Sequence, residues 1–166
     1  MRALICALAL AACATPARAD DHMAPLAPLI GCWRGAFDGN ADISDERCFA
    51  PMLGGSYLRD THAVRPTAYA GESVYYFDAS TQHLAVTYYA ADGGMSSGGV
   101  QSEEGALVFA PYTFINADGT TLHLRGTWRF DGPDRYVATS EMEQGGQWRP
   151  FMRITYVRAP DLTPPH

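Results

Sequence analysis

The stretch Thr121-Leu122-His123-Leu124-Arg125-Gly126-Thr127-Trp128-Arg129-Phe130 alternates without a break. Leu122, Leu124, Gly126, Trp128 and Phe130 share one side of an extended chain, and His123, Arg125, Thr127 and Arg129 share the other. Successive side chains of a strand point to opposite faces, so this pattern predicts a strand with one dry and one wet side. Its apolar row has to be covered by something.

The same kind of segment recurs on both sides of it, bounded by turn signals. Asp-Gly stands at Asp38-Gly39, Asp92-Gly93, Asp118-Gly119 and Asp131-Gly132, and Gly-Gly at Gly54-Gly55 and Gly145-Gly146; such pairs reach the positive φ of tight hairpin turns. About ten strands result: Cys32–Phe37, Asp45–Phe49, Ser56–Val64, Ser73–Phe77, Leu84–Ala90, Ser96–Gln101, Leu107–Pro111, Thr121–Phe130, Arg135–Glu143 and Trp148–Arg158. No amphipathic helix of useful length interrupts them. Consecutive hairpins form a meander, and a long meander removes its unpaired edges by closing on itself, so the expected fold is all-β, an antiparallel up-and-down barrel. A two-sheet sandwich is the alternative. At 166 residues one domain accounts for the chain.

Parity assigns the interior. Tyr136, Ala138, Ser140 and Met142 should face inward from one strand, and Met152, Ile154, Tyr156 and Arg158 from the last. Between Ser56 and Val64, Asp60 and His62 share the parity of Leu58 and Val64, which sends two polar groups inside. Ahead of the first strand, Met23-Ala24-Pro25-Leu26-Ala27-Pro28-Leu29-Ile30 reads as a short helical turn capping one barrel end.

The expected domain is residues 20–158, preceded by a signal peptide over residues 1–19 and followed by a disordered tail, 159–166. Met1-Arg2 and the apolar run Ala3 to Ala12 supply the charged and hydrophobic regions of the signal. Ala17-Arg18-Ala19 offers cleavage before Asp20 and release as a periplasmic or secreted protein. Leu10-Ala11-Ala12-Cys13 offers the rival route, a lipobox with the membrane anchor on Cys13. Either route leaves Cys32 and Cys48 as the only cysteines of the folded domain, and in an oxidising compartment they read as a disulfide.

Every one of the 12 basic residues is arginine. Without lysine there is no Schiff-base chemistry and no phosphate-binding lysine of a P-loop. Cleavage after Ala19 removes Arg2 and Arg18, leaving 10 Arg against 18 acidic residues, a net charge of −8. Phosphate binding needs a basic footprint, so nucleic acid is not an expected partner.

Leu29-Ile30-Gly31-Cys32-Trp33 resembles the Gly-x-Trp opening of the calycins, the superfamily of lipocalins and fatty-acid-binding proteins. The resemblance implies that Trp33 closes the barrel base and that Arg158 packs across it, a cation–π pairing. Glu46-Arg47-Cys48-Phe49 followed by Gly54-Gly55-Ser56-Tyr57-Leu58 is similar to bacterial lipocalin-like domains of unknown function. In such families Glu46 and Arg47 could be functional; an ion pair is the plainer reading. The haem barrels related to nitrobindin open in a similar way and need an axial histidine late in the chain. Of the late histidines, His123 falls on the outer face and His166 in the tail.

Gly94-Met95-Ser96-Ser97-Gly98 matches the G-x-S-x-G of a hydrolase elbow, but a strand-like run follows where the elbow needs a helix. Asp38 to Ser44 spaces oxygens like the start of a calcium loop, with Ile43 where the turn glycine belongs. His62, His83 and His123 lack the close spacing of a zinc motif. No metal and no cofactor are predicted. Aromatics offer more: Tyr75, Tyr76, Tyr88, Tyr89, Trp128, Trp148 and Tyr156 could line an apolar pocket.

The expected function is therefore binding of a small hydrophobic or amphipathic molecule, with Trp33, His62, Tyr88, Trp128, Ser140, Met142, Tyr156 and Arg158 near the cavity. His62, Ser140 and Arg158 would orient a carboxylate or similar head. Two other readings stand beside it: a structural or envelope-interaction domain with a filled core, and an isomerase or hydrolase using an Asp60–His62 pair.

Overall fold

The structure is a computed structural model that describes residues 22–165. The expected signal peptide, with Cys13 and the cleavage position after Ala19, lies outside the described residues, as does His166.

Ten antiparallel strands form a closed barrel in which each strand pairs with its neighbour in sequence and the last returns to the first. They are β1 (Gly31–Phe37), β2 (Asn40–Met52), β3 (Tyr57–Arg65), β4 (Ala70–Asp78), β5 (His83–Ala90), β6 (Met95–Glu103), β7 (Ala106–Ile115), β8 (Thr121–Phe130), β9 (Arg135–Gln144) and β10 (Gln147–Arg158). Closure comes from the β1–β10 ladder, with Trp33 opposite Arg158 and Phe37 opposite Ile154. Among the described residues no sheet edge is left unpaired, which answers the burial problem posed by β8. Each of the expected Asp-Gly and Gly-Gly signals falls in a turn, and they mark six of the nine connections; Gly119, at φ 83°, occupies a conformation that a side chain would strain.

The two ends of the barrel differ. A 3-10 helix, Ala24–Leu29, plugs the end where β1 begins and β10 finishes, burying Leu26 and Leu29. Beneath it Trp33, Tyr136 and Tyr156 pack ring on ring, with Tyr136 and Tyr156 stacked at 4.5 Å and Trp33 edge-on to Tyr136 at 4.8 Å. Trp33 has no exposed surface, and its Nε1 donates to the Leu29 carbonyl at 2.7 Å. Toward the other end a smaller cluster of Ala90, Phe114 and Leu124 is joined by Tyr88, Tyr112, Leu122 and Met142.

Cys32 and Cys48 form the expected disulfide, directly opposite each other on β1 and β2. The tail departs from its expected disorder at its start: Ala159 is buried and its N–H donates to the Cys32 carbonyl at 2.9 Å, and Arg34 holds Asp161 at 3.3 Å. Backbone pairing continues one residue past β10, so the chain leaves the barrel later than residue 158. Gly94-Met95-Ser96-Ser97-Gly98 runs into β6 as strand, not as an elbow.

Candidate functional site

The strand period builds the site. In β2, Asp45, Arg47 and Phe49 point inward, while Glu46 points out to Arg34 and Arg65. In β3, Leu58, Asp60, His62 and Val64 point inward, and all are buried. Register sets Arg47 opposite His62 and Phe49 opposite Asp60, so one guanidinium lies between two carboxylates. Arg47 Nε is 3.4 Å from Asp45 Oδ2 and 3.5 Å from Asp60 Oδ1. Its planar group also faces Trp128, with Cζ 5.1 Å from the ring centre, and Tyr156, at 5.5 Å.

A hydrogen-bonded belt runs from this cluster around the wall. Asp45 accepts from the Tyr156 hydroxyl at 2.5 Å and from His62 Nδ1 at 2.9 Å. His62 Nε2 is 3.0 Å from the Tyr88 hydroxyl, which is 2.9 Å from that of Tyr69 at the mouth. Each of the two inner tyrosines crosses an intervening strand to reach its partner, and a glycine makes each crossing possible. Tyr156 of β10 passes over Gly35 of β1 to reach β2; a Cβ on Gly35 would lie 2.5 Å from its Cε1. Tyr88 of β5 passes over Gly71 of β4 to reach β3; a Cβ on Gly71 would lie 2.6 Å from its Cζ. The sequence leaves out two side chains where the belt needs clearance.

Burial and charge act on these groups in opposite senses. Burial alone would raise the Asp45 carboxyl, but Arg47, His62 and the Tyr156 hydroxyl outweigh it and hold Asp45 below its ordinary value. Asp60 has no exposed surface, and there burial wins over Arg47 and His62 and pushes its carboxyl up. Arg47, though buried, is driven further toward its charged form by Asp60 and Asp45. Burial likewise raises the Tyr88 and Tyr156 hydroxyls, which stay neutral donors. Because Asp45 is ionised and accepts only, the proton on His62 Nδ1 is fixed.

Above the belt the lumen is hollow. Its volume is about 640 Å³, inside the range of about 300–1,000 Å³ usual for small-molecule sites. Phe37, Val86, Phe109, Tyr112, Leu124 and Trp128 supply apolar wall; Asp45, Arg47, His62, Ser73, Ser96 and Ser140 supply polar wall. Among the described residues Ser140 Oγ has neither a hydrogen bond nor an ion pair, whereas Arg47 Nε makes no hydrogen bond but is ion-paired with Asp45 and Asp60. A second depression, about 720 Å³, lies outside the barrel between the 3-10 helix and Pro51, Tyr57 and Phe77. Its lining has no buried charged group, so the lumen is the candidate site.

Five of the eight residues expected at the cavity line it: His62, Tyr88, Trp128, Ser140 and Tyr156. Three do not. Met142 packs into the Phe114–Leu124 cluster. Trp33 and Arg158 sit at the plugged base, where the Arg158 guanidinium covers the indole at 3.9 Å and donates to the carbonyls of Pro28, Ile30 and Pro133. That is the stacking the resemblance implied, and it removes Arg158 from the polar cluster expected with His62 and Ser140. Parity placed Arg158 on the correct face but gave no depth along the barrel axis.

Two further expectations change partners. His62 bonds Asp45 and not Asp60, whose Oδ2 accepts from Ser73 at 3.2 Å. Glu46 and Arg47 do not pair, because neighbours in a strand face opposite ways; Arg47 is a lumen residue whose carboxylates are Asp45 and Asp60. Asp45 was legible as an inward residue from its parity with Phe49. Among the aromatics, Tyr75, Tyr88, Trp128 and Tyr156 line the lumen. Tyr76 faces the outer depression and Trp148 lies under Arg125 on the outer wall, at 4.7 Å. His123 is exposed and shares a hydrogen bond with Thr113, so the late histidine of a haem barrel is outside the lumen.

No family model and no curated protein matches the sequence. Among solved structures, the crystal structure of Rv2717c from M. tuberculosis superposes with a TM-score of 0.57 at 18% identity, over 83% of this chain and 97% of that one. At that identity the likeness is one of fold, and the fold in common is the antiparallel barrel.

Proposed function

We propose that this chain is an exported, lipocalin-like barrel that binds a small hydrophobic or amphipathic molecule in its lumen. The observation that carries the reading is the hollow above the belt: apolar walls converge on a floor of buried charge, and Ser140 Oγ on the wall has no partner among the described residues. Buried polar groups are nearly always paired in folded proteins, so an unpaired hydroxyl on the wall of an apolar cavity is what a ligand's polar end requires. Export is supported by the Cys32–Cys48 disulfide together with the signal-like sequence ahead of the domain. Release as a soluble protein and anchoring through Cys13 both belong to this proposal. The filled-core reading has no support from a lumen of this volume, and the Asp60–His62 enzyme reading lacks its pair.

The test is titration with Nile red, an uncharged dye that brightens in apolar sites. Saturable brightening is expected, and a Ser140→Trp variant, which puts an indole into the lumen, should lose it while keeping the fold. Brightening that Ser140→Trp leaves intact would place the dye elsewhere and overturn the reading.

A further inference from the structure

We propose that the head group held at the lumen floor is uncharged and accepts hydrogen bonds, an alcohol, ester or amide and not a carboxylate; this rests on the lumen being a ligand site.

The charges at the floor decide it. Arg47 is the single arginine among the described residues lining the lumen, and two carboxylates already flank it, at 3.4 and 3.5 Å. A carboxylate head would add a third negative group against one guanidinium in a desolvated setting, where like charges repel far more than in water. Relief from His62 is limited, because its Nδ1 is committed to Asp45 and its Nε2 to Tyr88. Arg158, the other candidate counter-charge, is held at the base on three carbonyls. An ammonium head fares no better, since it would have to displace Arg47 from Asp45 and Asp60 while losing its own hydration.

What the floor leaves open is donor capacity. Tyr156 donates to Asp45, and the Tyr88 hydroxyl is engaged between His62 and Tyr69. Ser140 Oγ is buried at the lumen wall with neither a hydrogen bond nor an ion pair among the described residues, and it can donate or accept; Arg47 Nε makes no hydrogen bond but is ion-paired with Asp45 and Asp60. A neutral oxygen that accepts from Ser140 satisfies it without adding charge. The rings of Trp128 and Tyr156 against Arg47 suit a slender polar tip on a wider apolar body.

Decanol, decanoate and decylammonium share one tail and differ only in the charge of the head. Calorimetric titration of the full domain at neutral pH should rank decanol tightest, with decanoate and decylammonium each weaker by about tenfold or more. Asp60→Asn removes one negative group and should narrow the gap for decanoate without tightening decanol. Decanoate or decylammonium binding as tightly as decanol overturns the uncharged head while leaving the lumen a ligand site. No heat with any of the three, with no Nile red response, removes the ligand reading and this one with it. The wild-type ranking alone decides the matter if Asp60→Asn does not fold.

Discussion

Trp33 and Trp128 are tryptophans on inner barrel faces, each with an arginine against its ring, yet their surroundings have opposite character. Around Trp33 the space is full: the indole N–H and each guanidinium nitrogen of Arg158 donate to main-chain carbonyls, and Tyr136, Leu26 and Leu29 are almost wholly buried. Around Trp128 the space is open on one side, and Arg47 is balanced by side chains of β2 and β3. The base satisfies the indole N–H and the Arg158 guanidinium with backbone, leaves the Tyr136 hydroxyl without a partner among the described residues, and holds the barrel shut. The lumen satisfies them with titratable side chains and keeps room above them, an arrangement that stability alone would not select.

That contrast can be broken at several points. Trp33→Ala should cost about 3–5 kcal/mol, the usual loss for a fully packed tryptophan, and Trp128→Ala about half of that, because one face of its ring already meets a cavity. Urea unfolding of the two variants gives the comparison directly; equal losses would mean that the upper lumen is packed like the base.

Asp45→Asn should cost about 3 kcal/mol at neutral pH, since it weakens a buried charge network by one partner. The sign with pH follows from the two carboxylates. Asp45 lies below its ordinary value in the folded chain, so its contribution is present above the unfolded value and is lost as pH falls through the depressed folded one. Asp60 is raised, so it favours the fold below the unfolded value, and that contribution is lost as pH rises through the folded one. The gap between wild type and Asp45→Asn should therefore shrink on acidification from about pH 7 to about pH 3. Asp60→Asn should not reproduce that loss on its own. Urea midpoints across the pH range check both, and a gap for Asp45→Asn that widens in acid would contradict the assignment.

Gly71→Ala should cost about 2 kcal/mol by forcing the Tyr88 ring off its path to His62. Adding Tyr88→Leu to that chain should recover most of the loss, because the side chain that clashes is gone. A double variant no better than Gly71→Ala would show that the glycine serves the strand and not the tyrosine. Ser140→Ala should be the mildest, within about 0.5 kcal/mol in stability, while weakening decanol; unchanged decanol binding would remove Ser140 from the head-group contacts.

Much of the fold was legible because it depends on period and punctuation, which are local. The strand Thr121–Phe130 has the predicted bounds, and the Asp-Gly and Gly-Gly pairs mark reversals of the chain. The cap over Ala24–Leu29 and the Cys32–Cys48 bridge were also local readings. The site was half legible. Parity sent Asp60 and His62 inward, but which carboxylate His62 meets depends on cross-strand register, and only the fold sets that. Asp45-Glu46-Arg47 carried its own signal, two opposite charges at even spacing beside Phe49, and the expected strand Asp45–Phe49 already held both on the face of Phe49, although the strand itself runs from Asn40 to Met52. Gly35 and Gly71 carried none, for a glycine in a strand does not say whose ring lies over it.

The central claim is that the lumen holds a molecule, and native mass spectrometry of the protein purified from its own host, with nothing added, tests it most directly. The account predicts a noncovalent companion of low mass that survives gentle desorption, carries no fixed negative charge, and is missing from Ser140→Trp. A wild-type spectrum showing only the polypeptide mass, from preparations that also fail to brighten Nile red, would contradict it.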